Sequence, residues 1–175
     1  MSAIVLRPLC VFAFGVLLTG AAPAAAQISC RPVFDAIDKV MTTPTHMVRS
    51  VPSPGGEPKK GEAIYAGGAI YQKTGPGWER MPVTTAQAAK QERESRAKAT
   101  IACRIVKDND PVDGEPATLF ESKTETKTET TTAQVWISKA KGLVLKQEID
   151  IDAGKGGQTH YSVRYDYDKV EAPKL

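Results

Sequence analysis

Histidine is almost absent from this sequence: only His46 and His160 occur in 175 residues. Their side chains are the ones whose ordinary pKa suits proton transfer near neutral pH, and neither lies beside a serine or cysteine nucleophile in a local catalytic pattern. Cysteine is nearly as scarce, at positions 10, 30 and 103, so no Cys/His spacing for zinc is present. Long apolar runs are missing too. The stretch Leu9–Leu18 spans about ten residues, where a membrane-crossing helix needs roughly 20. Excess charge of one sign is also lacking: the formal net charge of +3 includes Arg7 near the start, and a nearly balanced chain has no electrostatic case for nucleic acid. Two local patterns fall short of a cofactor or metal. Asp108, Asp110, Asp113 and Glu115 lack the glycine and terminal glutamate order of an EF-hand, and Gly154–Gly157 lacks the flanking residues of a phosphate loop. These gaps argue against an enzyme, a cofactor and a metal, although carboxylates assembled only in space leave no local pattern to read.

What is present begins with a leader. A basic head at Arg7, the short apolar run and small residues ending Ala24-Ala25-Ala26 form a secretory signal peptide over residues 1–26, leaving 27–175 as a single domain not anchored through the membrane and exported to the periplasm. Cys30 follows soon after, but the polar Gln27 and the Ala/Pro stretch before it do not match a lipid-modified N-terminus. With Cys10 removed, Cys30 and Cys103 remain as an even pair in an oxidising compartment, where they form either a disulfide or two separate buried thiols. The pairing is the favoured expectation.

Two periodicities organise the rest. Val33, Ile37, Val40 and Met41 make one apolar stripe of a helix over Ser29–Met41, and Thr84–Lys98 has strong helix propensity with little apolar surface beyond Ala86, Ala89 and Ala97. Elsewhere a period of two prevails. Val135 and Ile137, then Leu143, Leu145, Ile149 and Ile151, flank the turn Lys139–Gly142 as an antiparallel hairpin, and Tyr161, Val163, Tyr165 and Tyr167 form the apolar phase of a last strand. Pro52–Lys60 is read as a loop, and Gly67-Gly68 as a bulge or bend inside a strand that sets Ile64 with Ile70 and Tyr65 with Tyr71. Thr124–Thr130 has no apolar face and reads as a hairpin tip or a charge-protected edge. Trp136 points away from Val135 and Ile137, so it is expected on the convex side of the sheet or under a helix.

The motifs Cys103-Arg104, Val112–Ala117, Trp136-Ile137-Ser138-Lys139 with Gly142-Leu143, and Tyr165-Asp166-Tyr167 before Val170-Glu171-Ala172-Pro173 resemble those of a group of bacterial periplasmic proteins. Their order is similar to that in the LolA/LolB-like superfamily of periplasmic lipoprotein carriers, over residues 60 to 173. The resemblance implies an α+β fold: a curved antiparallel β-sheet, an open half-barrel, with two main helices packed on or across its concave face. A groove would lie between sheet and helices. Leu143, Leu145 and Ile149 should line it beside Tyr161, Val163 and Tyr165, with the first helix covering it through Val33, Ile37 and Val40.

Two functions follow. One is a non-enzymatic carrier or sensor of a lipid or acyl chain held in that groove. The other is a structural or interaction module in which the same faces pack on each other and leave no room for a ligand.

Overall fold

The computed structural model describes residues 28–154 and 157–175; the expected leader lies outside them. Its elements are α1 (Arg31–Thr42), β1 (Thr45–Ser53), β2 (Gly56–Ala66), β3 (Ala69–Thr74), β4 (Gly77–Thr84), α2 (Thr85–Arg96), β5 (Thr100–Lys107), β6 (Ala117–Glu125), β7 (Thr130–Ser138), β8 (Val144–Asp152) and β9 (Gln158–Asp166). The nine strands form one antiparallel sheet in the order β4-β3-β2-β1-β9-β8-β7-β6-β5. Two meanders, β1–β4 and β5–β9, thus meet where β1 pairs with β9, and the sheet stays open with β4 and β5 at its edges. The expected α+β class and open antiparallel sheet are what the chain adopts.

The connection from β4 to β5 explains why the sheet curves. Nine strands laid flat would set the edges about 38 Å apart. Between them lie only α2, ~18 Å long, and a short linker that adds at most about 14 Å. The edges must come together, and α2 crosses the hollow side.

Local chemistry accounts for each helix. Pro32 sits in the first turn of α1, where a missing N–H costs nothing, and α1 buries Val33, Ala36 and Val40 on one stripe. Thr84 begins α2 with a capping box: its hydroxyl accepts from the Gln87 N–H at 3.2 Å, while the Gln87 side chain accepts from the Thr84 N–H at 2.9 Å. Because α2 buries only Thr85 and Ala89, this cap and the anchor at Arg96 hold it. Arg96 pairs with Asp38 of α1 and lies over the Phe34 ring, 4.8 Å from its centroid. Thr84→Ala is expected to lower stability by about 0.5–2 kcal/mol in urea unfolding; an unchanged midpoint would show that α2 needs no cap.

Two turn readings are corrected. Most of the expected Pro52–Lys60 loop is strand, with Ser50 opposite Lys60 and Val51 opposite Lys59. Pro52 is accommodated because the register shifts between Val51 and Ser53, an irregularity where its missing N–H breaks no ladder bond. Gly67 and Gly68, with φ of 58° and 76°, are not a bulge but the two central residues of a tight hairpin turn. Ile64 therefore faces Tyr71 and Tyr65 faces Ile70, reversing the expected partnership. Thr126–Glu129 is a hairpin tip, closed by the Thr126 N–H donating to the Glu129 carbonyl at 3.0 Å.

The apolar residues divide between the two sides. On the hollow side Val33, Ala36 and Val40 of α1 pack on Cys103, Phe120, Val135, Ile137 and Val144. On the convex side Trp136 clusters with Val112, Ala117, Leu119 and Leu145, as expected for a residue out of phase with Val135. The β5–β6 connection folds beneath this second cluster. Its Asp110 carboxylate accepts a 2.8 Å hydrogen bond from the Trp136 indole N–H, and Lys146 lies 4.4 Å from the ring centroid.

Candidate ligand groove

Helix α1 fills only part of the hollow side, over β5–β8. Beyond it the sheet carries a second run of apolar side chains, of which Met47, Tyr65 and Tyr165 pack against the margin of the α1 cluster and stay only partly buried. Strand register places them. Tyr165 stands opposite both Met47 of β1 and, through its hydroxyl, the Gln147 side chain of β8, to which it donates at 2.6 Å. Val163 is opposite Arg49 and Gln147, and Tyr161 is opposite Ile149. Met47 in turn faces Ala63, and Tyr65 faces Ile70. All of these therefore share the hollow face.

Two adjoining hollows result. One, of about 400 Å³, lies between the sheet and both helices and reaches Ile37, Val40, Ile101, Ala133 and Ile149. The other, of about 490 Å³, lies on the β9–β4 half and reaches Ile70, Met81, Val83 and Val163. Met47, Tyr65, Gln147, Ile149, Tyr161 and Tyr165 border both, so the two make one groove. Each volume is in the range of small-molecule sites, roughly 300–1,000 Å³. Burial pushes the phenols of Tyr65 and Tyr165 above their ordinary range, so both stay neutral donors at the groove wall.

The structure brings together Ile37, Val40, Ile149, Tyr161, Val163 and Tyr165 of the residues expected there. Three others belong elsewhere. Val33 is 1% exposed in the closed core under α1 and borders neither hollow. Leu143 precedes β8 and serves the turn, its carbonyl accepting from the Ser138 N–H at 2.9 Å. Leu145 faces the convex side with Trp136. The cause is a shift in register: Trp136 pairs with Lys146 but Ile137 with Val144, so Leu145 is an extra residue in β8. Strict alternation counted back from Ile149 is broken there, and Val144 takes the inward place, fully buried.

Met47, Tyr65, Met81 and Gln147 were not among the expected groove residues. The alternation of β1 already puts Met47 in phase with Arg49, but whether that phase faces the groove depends on the pairing of β1 with β9. The two histidines are both on the convex side. His46 lies 3.1 Å from a Glu62 oxygen and His160 2.8 Å from Asp150. Lys73 donates to the other Glu62 oxygen at 2.6 Å, and chiefly through this bond the Glu62 carboxyl is held below its usual range. Among the described residues, no cluster of three or more His, Cys, Asp or Glu side chains suits a metal, and no helix is long and apolar enough to cross a membrane.

The predicted pairing of cysteines is present: Cys30, at the start of α1, is bonded to Cys103 of β5, with Cα atoms 5.2 Å apart.

No protein-family profile matches the chain, and no curated protein matches it. Solved structures do. The chain is similar to LprF from Mycobacterium bovis at 10% identity and a TM-score of 0.44, over 86% of this chain and 97% of that one. It is similar to the lipoprotein LppX of Mycobacterium tuberculosis at 12% identity and 0.43, over 83% and 94%. A LolA superfamily protein from Nitrosomonas europaea matches at 9% identity and 0.33, over 85% and 95%.

Proposed function

We propose that the protein is a non-enzymatic binder of an apolar ligand, a lipid or acyl chain, exported to the periplasm after loss of residues 1–26 and working as one domain, 27–175. The observation that carries this reading is the space left unfilled on the hollow face between the sheet and the helices. Met47, Tyr65, Ile149, Tyr161 and Tyr165 form a continuous wall between two joined hollows and are only partly buried. Burying one large apolar side chain is worth about 1.5–3 kcal/mol, so a ligand along this wall recovers a term that folding leaves unused. Ile37 and Val40 of α1 and Val163 of β9 complete the contact surface. The disulfide fits an oxidising compartment. Binding is favoured over catalysis because the wall is methionine, isoleucine, valine and tyrosine, while both imidazoles are engaged by carboxylates on the opposite side.

The closed core under α1 is what the interaction-module reading describes, but its fully buried members come only from α1 and β5–β8, and Met47, Tyr65 and Tyr165 at its margin stay partly buried. Native mass spectrometry of protein isolated from its own cells separates the two. A lipid-sized adduct that organic extraction removes is expected. The bare chain mass, unchanged after incubation with lipid extract, would overturn the reading.

A further inference from the structure

Among the described residues that line the two hollows, Arg49 is a cation without a carboxylate to answer it. Among the described residues Arg31, Arg93, Arg96, Arg104 and Arg164 each meet an Asp or Glu, whereas Arg49 forms no such pair. Arg80 is also unpaired, but it stands opposite Tyr71 on the convex face. The Arg49 guanidinium is instead stacked on Tyr161, 4.0 Å from the ring centroid, and borders the 490 Å³ hollow. Stacking orients the planar group and leaves its N–H edge free to donate.

On its β2 side the space is open. Directly across β2 stands Gly61, and a Cβ built there would meet nothing within 4 Å. Lys59, opposite Val51, lies one step further along the same face and adds a second positive charge. The carboxylate bordering this hollow, Glu62, has one oxygen taken by Lys73 and the other by His46. From Arg49 the wall continues through Tyr161, Ile149, Met47 and Tyr165 to Tyr65, aromatic and aliphatic surface interrupted only by phenol hydroxyls. A cation at one end of an apolar channel is complementary to a molecule with an anionic end and a hydrocarbon body.

We propose that the groove takes a single-chain anionic amphiphile, its head hydrogen-bonded to the Arg49 guanidinium and its chain lying along Ile149, Met47 and Tyr165. This rests on the apolar-ligand reading and specifies the ligand's head. A guanidinium presents paired N–H donors that match two oxygens of a carboxylate or phosphate, and such charge-assisted bonds are stronger than those between neutral groups.

The test uses dodecanoate and its methyl ester, both below micelle-forming concentration, titrated into delipidated wild-type protein and into Arg49→Gln and Arg49→Lys, with the melting temperature of each variant recorded. Wild type should hold dodecanoate about 10- to 100-fold more tightly than the ester, the span of one hydrogen bond to a charged group. Arg49→Gln should erase that preference, lowering affinity for dodecanoate by more than it lowers affinity for the ester, and Arg49→Lys should keep part of it. Acetate, with the head but no chain, should not compete. Equal wild-type affinity for acid and ester would overturn the inference and leave the groove reading standing. So would a preference that survives in Arg49→Gln, or an equal loss for both probes, which would make Arg49 a packing residue for Tyr161. If neither probe bound any folded variant, the groove reading itself would fall.

Discussion

Val135→Asp is expected to abolish cooperative folding, whereas Ile149→Glu is expected to leave the protein folded but unable to hold an apolar ligand. The two positions lie on the same face of the same hairpin, yet their surroundings differ. Val135 has no exposed surface and is enclosed by Val33, Val40, Phe120 and Val144. A carboxylate there finds neither partner nor water, and an unpaired buried charge costs several kcal/mol. Total stability for a domain is about 5–15 kcal/mol, so this single term consumes much of it. Ile149 borders both hollows and is partly open. A glutamate there can turn its charge to solvent and forfeits only about 1 kcal/mol, a fraction of full side-chain burial. Circular dichroism with urea unfolding reads the first effect, and native mass spectrometry of the folded variant reads the second. Collapse of both variants would mean that the groove is core, and retention of lipid by Ile149→Glu would move the ligand elsewhere.

Removing the disulfide should have the next largest effect. The bond between Cys30 and Cys103 spans a sequence separation of 73 residues, and in the chain-entropy account closing a loop of that size contributes about 4 kcal/mol by restricting the unfolded chain. It also has a local role. It fastens the first turn of α1 to the edge strand β5, beside the Ile28 N–H that donates to the Cys103 carbonyl at 3.1 Å. Because α1 closes the core and its Ile37 and Val40 border the groove, loosening that end affects both. The double change Cys30→Ala with Cys103→Ala, which avoids a stray thiol, is expected to destabilise the protein by about 2–5 kcal/mol in urea unfolding. Reduction of the wild type should reproduce the loss. A midpoint that moves in neither experiment would show that the bond carries no stability.

The structure departs from simple sequence rules at identifiable residues. Alternation in β9 places Tyr161, Val163 and Tyr165 together without help from the fold, since each residue in an uninterrupted strand turns to the face opposite its neighbour's. The same rule fails in β8 at Leu145, because a register shift against β7 inserts one residue and inverts the phase from there to the turn. The diglycine at Gly67 and Gly68 fails similarly. Glycine tolerates positive φ in either a bulge or a two-residue turn, and only the pairing of Ala66 with Ala69 selects the turn.

The sequence by itself determined the elements whose information is local: the stripe of α1, the cap of α2, the hairpin closing at Gly142 and the outward phase of Trp136. These depend on periods of 3.6 and 2, on capping hydrogen bonds and on backbone freedom, all of which act between residues close in the chain. The groove was decided by tertiary structure. Met47, Tyr65 and Arg49 become its wall because β1 pairs with β9 across more than a hundred residues, and the wall stays partly open because the fully buried core under α1 draws only on β5–β8. A strand's pattern states that one face is apolar; what lies opposite that face, a helix or an open hollow, is set by the partners to which the whole sheet brings it.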